Sequence, residues 1–141
     1  LGGGIVVYVA YKFIHRQLVL RELRMARITV DELKQLMDAE APIVILDVRQ
    51  AVADDEAPAI PGALRMSLEE LDRRHQEIPR DHDVVVYCAC PNEASAARMA
   101  ILLRRHGIKR VRPLLGGIDA WVALRDVRAR QASETETRAI A

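Results

Sequence analysis

Aromatic residues are scarce in this chain of 141: one Trp, one Phe and three Tyr, 4% of the whole, so the core has to be built mainly from Val, Ile, Leu and Ala. Cysteine is scarcer still, with only Cys88 and Cys90. Two cysteines make no disulfide framework, and a single residue between them leaves too little chain for a comfortable bridge. No Cys or His cluster has ligand spacing, so neither a structural zinc nor any other metal is expected, and no cofactor. Free thiols suit a reducing compartment better than a secreted one. An excess of positive charge is also missing: Lys plus Arg number 21 against 20 Asp plus Glu, a net +1 that offers no support for nucleic-acid binding. With half its residues hydrophobic and 29% charged, the chain is neither disordered throughout nor of low complexity. Its length allows one domain of ordinary size and a flanking segment.

The charge is segregated. Residues 1–28 hold Lys12, Arg16, Arg21, Arg24 and Arg27 against Glu22, a net +4, which leaves −3 for residues 29–141. This basic segment adjoins the apolar stretch 1–11, which has no charge before Lys12. A spanning helix needs ~20 such residues, so the stretch alone is too short. A secretory signal places its charges before the apolar run, whereas here they follow it. The order fits the last half of a transmembrane helix that begins upstream, with Tyr8 and Tyr11 at the interface and Lys12 to Arg27 on the cytoplasmic side. A cloning remnant around Gly2-Gly3-Gly4 and a helix packed on the domain are the alternatives. Residues 15–26 have few breakers and predict a juxtamembrane helix.

Further along, Thr29-Val30-Asp31-Glu32 reads as a capping box opening a helix to about Ala39. Ile43 to Val48 is a continuous apolar run with one acid, as expected of a strand buried on both faces. Residues 50–60 read as a loop before the Pro61-Gly62 turn. Ser67-Leu68-Glu69-Glu70 is a second capping box, opening a short helix towards Gln76. Val84 to Tyr87 is another buried strand, followed by a loop and a helix from about Glu93 to His106 that Gly107 closes. A short strand at roughly 109–113 precedes Gly116-Gly117 and a helix carrying Trp121, Val122 and Leu124. Residues 127–141 show no apolar period and read as a flexible polar tail. The predicted boundaries are therefore 1–26 for the membrane-proximal segment, 27–126 for the domain and 127–141 for the tail. Strands alternating with helices at these lengths imply an α/β fold, a parallel sheet with helices on both faces.

The passage from Val84 to Arg98 runs buried strand, cysteine, short loop, helix. In an open α/β sheet, ligands bind beyond the carboxyl ends of the strands, and Cys88 stands at that place. A helix N-terminus favours an anion and lowers the pKa of a nearby thiol, so Cys88 is a candidate nucleophile. The competing reading is a buried cysteine that packs as a small hydrophobe.

Leu46-Asp47-Val48-Arg49, Ile60-Pro61-Gly62-Ala63, Val85-Val86-Tyr87-Cys88 and Leu115-Gly116-Gly117-Ile118-Asp119-Ala120-Trp121, in that order, resemble a single-domain rhodanese. The resemblance covers about residues 27–125. It implies a three-layer α/β fold with a central parallel sheet of about five strands flanked by helices. It further implies a sulfurtransferase in which Cys88 carries a persulfide, taking sulfane sulfur from thiosulfate or a similar small donor and passing it to a thiol or to cyanide. The active-site loop would be Ala89, Cys90, Pro91, Asn92, Glu93 and Ala94, with Asp47 and Arg49 as site support. Gly116 and Gly117 serve backbone geometry and Trp121 core packing. The run Cys-Ala-Cys-Pro-Asn-Glu-Ala after a basic juxtamembrane helix is similar to rhodanese domains at the C-terminus of bacterial DedA-type membrane proteins, implying a domain on the cytoplasmic face of the inner membrane.

The chain departs from the family at several places. Glu93 stands where active rhodaneses usually carry a basic residue; a carboxylate facing the loop would repel thiosulfate, although it also stabilises the helix start. Pro91 removes one N–H donor, and Ala59 replaces the histidine often found before Ile-Pro-Gly. His15, His75, His82 and His106 take no catalytic position. Cys90 is expected to accept the sulfur, to attack a Cys88 persulfide and release sulfide, or to be a spectator. No Arg or Lys lies between Cys88 and Arg98, which argues against the phosphatases and arsenate reductases of the same fold. The alternative function is a catalytically weak or silent module that binds a partner or senses redox state on a membrane protein.

Overall fold

A computed structural model describes residues 2–50, 58–90 and 93–140. Four parallel strands form its centre: β1 (Ile43–Asp47), β2 (Leu64–Arg65), β3 (Asp83–Tyr87) and β4 (Val111–Pro113), in the spatial order β2-β1-β3-β4. β1 and β3 pair along their whole length, from Ile43 against Asp83 to Asp47 against Tyr87. Past β4 the sheet has the beginning of a fifth position. Ile28 bridges Leu114, donating its N–H to Pro113 O at 3.0 Å while Leu115 N–H donates to Ile28 O at 2.9 Å. The expectation of about five strands thus meets four and a one-residue bridge. β2 was not foreseen, because two residues after a turn are too few to show a period.

Among the described residues five helices surround the sheet: α1 (Gly2–Met25), α2 (Val30–Asp38), α3 (Leu71–Arg74), which runs on as a 3-10 turn over His75–Glu77, α4 (Ala94–Arg105) and α5 (Gly117–Ile140). The pleat divides the central strand between two cores. Val84 and Val86 join Leu46, Leu71, Met99, Ala100 and Leu103 on the α4 side. Val85 and Tyr87 join Ile45, Ile28, Leu33, Ile118 and Trp121 on the opposite side. A strand wedged between two apolar layers needs apolar residues at every position, the reason for the unbroken Val84-Val85-Val86 run. α4 buries Ala96, Met99, Ala100 and Leu103, positions three and four apart that make one stripe of a helix.

Both capping boxes form, to different degrees. Ser67 and Glu70 bond reciprocally, Ser67 N–H to Glu70 Oε2 at 2.9 Å and Glu70 N–H to Ser67 Oγ at 3.3 Å. At α2 only half the box closes, Glu32 N–H to Thr29 Oγ1 at 3.2 Å, because the Glu32 carboxylate pairs with Arg112 at 2.6 Å instead. Gly107, at φ 82°, ends α4 as expected, with Ile108 N–H bonded back to Leu103 O at 3.0 Å.

The C-terminal end of the chain differs from expectation. Residues 127–140 are not an irregular tail but the continuation of α5, exposed throughout. No Gly or Pro interrupts them, and Thr135 and Thr137 donate to the carbonyls of Gln131 and Ser133 at 2.8 and 2.9 Å. At the other end, α1 is one continuous helix whose Ile5, Val6, Val7, Tyr8 and Val9 are between 58 and 69% exposed. Among the described residues no helix is long and apolar enough to cross a membrane. Lys12 and Arg16 interrupt the apolar run of α1 midway, so the transmembrane reading finds no support in the helix itself.

Candidate active site

Strand alternation decides where Cys88 points. Val84 and Val86 face α4, and two residues on the Cys88 side chain falls on the same face, just past the last paired residue of β3. It is 2% exposed. Ala89 follows on the surface, and Cys90 turns back, half-buried, to pack against the same core. The chain then tightens through a turn, Glu93 N–H to Cys90 O at 3.3 Å, and enters α4 at Ala94. Pro91 and Asn92 lie outside the described residues.

The start of α4 is aimed at both sulfurs, though not in the way the sequence suggests. Ser95 N–H donates to Cys90 Sγ at 3.2 Å. Burial pushes the Cys88 thiol up to about 11, and the hydrogen bond between the two thiols adds to this; backbone N–H groups of Cys90 and Ala96 oppose it less strongly. Burial also works against ionisation of Cys90, but hydrogen bonds from Cys88 and Ser95 outweigh it and leave its pKa lowered. The helix N-terminus was expected to lower the Cys88 pKa; burial outweighs it and the direction is upward, while the Ser95 N–H is directed at Cys90.

Glu93 is the second correction. Its backbone adopts the left-handed region, φ 51° and ψ 36°, as the N-cap of α4. Its carboxylate is buried and occupied: Oε1 accepts Gly116 N–H at 2.9 Å, and Oε2 pairs with the Arg27 guanidinium at 2.8 Å. It holds three segments together instead of standing open to an anionic donor. Gly117 comes closer still. At φ 56°, it lies where an added Cβ would be 2.3 Å from Cys88 O, and Ile118 N–H donates to that same oxygen at 3.1 Å. Only glycine allows this approach, so the backbone on which Cys88 hangs is fixed from below by the start of α5.

Asp47 and Arg49, named as site support, form a buried ion pair with a third member that sequence reasoning missed. Arg49 Nε donates to Asp47 Oδ1 and Oδ2 at 3.0 and 3.1 Å, and its terminal nitrogen reaches Oδ2 at 2.8 Å. Arg49 N–H adds a fourth bond to Oδ1 at 3.0 Å. Tyr87 then donates its hydroxyl to Asp47 Oδ2 at 2.9 Å and accepts Ile60 N–H at 3.2 Å. Asp47 and Arg49 are 2 and 5% exposed, so this ion pair is a buried one whose lone pairs are satisfied. It joins the ends of β1 and β3 to the Ile60-Pro61-Gly62 turn. Tyr87 reads in the sequence as one more apolar strand residue; the single polar atom on its ring is the only signal that could have marked it. Arg27 stood out only as one of the basic residues near the start of the chain, and Ser95 carried no local pattern. Among the described residues no group of His, Cys, Asp and Glu is placed to hold a metal ion.

Comparison with known proteins agrees with this arrangement. The family model described as Rhodanese-like domain matches residues 29–124. A protein of Allochromatium vinosum named Sulfurtransferase is 35% identical over 88 residues, which are 62% of this chain and 78% of that one. The putative sulfur carrier protein YrkF of Bacillus subtilis is 27% identical over 94 residues, and the match spans 49% of its length. Among solved structures, the rhodanese-like domain of the Anabaena protein Alr3790 superposes with a TM-score of 0.59 at 33% identity, over 70% of this chain and 74% of that one. The BH2092 protein of Bacillus halodurans, at 23% identity and TM-score 0.62, shares the fold over 84% of this chain and 82% of its own. The chain belongs to the rhodanese-like domain family.

Proposed function

We propose that the protein is a sulfurtransferase that carries sulfane sulfur as a persulfide on Cys88, from thiosulfate or a related small donor to a thiophilic acceptor. The observation that carries this reading is the position of Cys88: past the carboxyl end of the central strand, in the core under the first turn of α4, with Cys90 packed against the same core. Cys88 releases its proton to solvent as it reacts. The Cys88 thiolate attacks the outer sulfur of thiosulfate, the S–S bond of the donor breaks, and sulfite leaves with the bonding pair. The terminal sulfur is received by N–H groups at the start of α4. An acceptor thiolate or cyanide then attacks the terminal sulfur, and Cys88 departs as thiolate and recovers its proton.

The competing reading, a silent module, rested on an unpaired carboxylate at Glu93 facing the loop. With that carboxylate engaged by Arg27 and Gly116, the main objection to binding an anionic donor is removed. Intact-mass measurement tests the proposal. The reduced chain incubated with thiosulfate is expected to gain about 32 Da, one sulfur atom, and the Cys88→Ser variant is expected to gain nothing. Absence of the adduct on the native chain with thiosulfate, with a polysulfide and with glutathione persulfide would defeat the enzymatic reading.

A further inference from the structure

Two thiols share this site, and the persulfide mechanism consumes only one. Cys88 is 2% exposed and belongs to the buried cluster under α4 that also holds Val86, Ala96 and Met99. Cys90, two residues on, is less buried, packs against the same core that holds Cys88, and has the Ser95 N–H directed at its own sulfur at 3.2 Å. The inner sulfur is therefore shielded, the outer one is accessible, and the N–H group that stabilises negative sulfur points at the outer one.

From this arrangement we infer that Cys90 is a second sulfur-carrying residue, which receives the terminal sulfur from the Cys88 persulfide and presents it to thiol acceptors too bulky to reach Cys88. The step rests on the sulfurtransferase reading above and needs no further reagent. The Cys90 sulfur attacks the terminal sulfur of the Cys88 persulfide. A new S–S bond forms on Cys90, and the bond between Cys88 Sγ and the terminal sulfur breaks. Its electron pair goes to Cys88 Sγ, which takes up the proton that Cys90 gives up. The sulfane sulfur keeps its oxidation state, and the pair ends as a Cys88 thiol beside a Cys90 persulfide. Attack on Cys88 Sγ instead would expel sulfide and close a disulfide across one residue, a ring far from the geometry such bonds prefer.

This gives the acceptor a chemical class. Cyanide is small enough to enter a closed site, whereas a peptide or protein thiolate has to meet its sulfur at the surface. The test loads the reduced chain with thiosulfate, removes the excess, alkylates with iodoacetamide and locates the extra sulfur by fragmenting the peptide that contains both cysteines. Expected is a persulfide shared between Cys88 and Cys90, with the larger share on Cys90. Sulfur found on Cys88 alone would overturn the inference, as would a product about 2 Da lighter than the reduced chain accompanied by free sulfide, the mark of a disulfide. In a second arm, Cys90→Ser is loaded in the same way and its persulfide is discharged in a single turnover to glutathione or to cyanide. The ratio of the glutathione rate to the cyanide rate is expected to fall about tenfold or more from its native value, equivalent to a barrier about 1.4 kcal/mol higher for the bulky acceptor. An unchanged ratio would overturn the inference while leaving Cys88 as the sulfur carrier. Failure of the native chain to load at all, or loading of Cys88→Ser by thiosulfate, would overturn the sulfurtransferase reading itself and the relay with it.

Discussion

Replacing Tyr87 by Phe removes one oxygen from the buried network that links the end of β3 to β1 and to the Ile60 turn. That oxygen donates to Asp47 Oδ2 at 2.9 Å and accepts Ile60 N–H at 3.2 Å. Burial, above all, pushes the Tyr87 hydroxyl up to about 12, so it stays protonated and remains a donor at any pH where the fold is studied. A hydrogen bond to a charged acceptor contributes about 1.5–3 kcal/mol, and a buried N–H left without a partner costs about 1–3 kcal/mol. The two effects sit on one atom, and Asp47 keeps all its bonds to Arg49, so they do not add in full; the expected loss is about 3 kcal/mol. For a chain of this size that corresponds to a fall in Tm of roughly 10 °C. Urea unfolding followed by the fluorescence of Trp121, the single tryptophan, reads the change from inside the same core that holds Tyr87. Acid titration supplies an independent readout. At Asp47, burial raises the pKa, but the hydrogen bonds from Arg49 and Tyr87 outweigh it and the net shift is downward. A depressed carboxyl pKa gives stability that is fully present above the unfolded value, near 3.8, and is lost as pH falls through the lower folded value. Without the Tyr87 hydroxyl the folded value moves up, and acid unfolding should begin at higher pH. A loss below about 0.5 kcal/mol, the range of an ordinary surface substitution, together with an unmoved acid limb, would refute the claim that this hydroxyl holds the network together.

Two further substitutions probe the ground beneath Cys88. Gly117→Ala would set a methyl 2.3 Å from Cys88 O at a backbone φ of 56°. Left-handed backbone alone costs a side-chain-bearing residue about 1–2 kcal/mol, so with the clash a destabilisation of about 3 kcal/mol is expected, alongside a lower persulfide yield at a temperature where the variant is still folded. A native urea midpoint would show that α5 does not brace the Cys88 backbone. Glu93→Arg places a second guanidinium against Arg27 and removes the acceptor of Gly116 N–H; it should cost about 2–4 kcal/mol and bring no gain in thiosulfate turnover. Faster turnover at undiminished stability would mean that the carboxylate faces the donor after all.

The middle of the fold is legible in the chain because its elements announce themselves locally. Val84-Val85-Val86 and Ile43 to Leu46 are apolar at successive positions, which only a strand covered on both sides requires, and that one inference carries the parallel sheet and both helical layers. The caps at Thr29, Ser67 and Gly107 are equally local, and each closes at least one of the bonds expected of it. The ends of the chain escape this kind of reading. α5 past Arg125 buries nothing, so no apolar period marks it, and its helicity rests on intrinsic propensity and on the absence of a breaker. A pattern-based reading takes lack of periodicity for lack of structure, and here the two come apart.

The site was harder to read for a different reason: its parts meet through the third dimension and through signs of charge that a linear order does not display. Glu93 looks hostile to an anion only while Arg27, 66 positions earlier, is left out of view; the bridge at Ile28 brings Arg27 to it and turns a repulsive group into a tether. The same holds for the helix N-terminus behind the cysteines. The order strand, cysteine, loop, helix locates a positive dipole end near a thiol, but which thiol receives it depends on how the loop curls. Here the curl sends Cys88 down into the core and brings Cys90 back beneath Ser95, so burial makes the deeper sulfur harder to ionise and the shallower one takes the N–H. A single-cysteine loop would have to stabilise its thiolate and expose it to acceptors at the same atom. Under the proposed relay the two requirements are split between neighbouring sulfurs, one shielded from water and wrong partners and the other met at the surface, which would give the second cysteine a chemical reason to stand where it does.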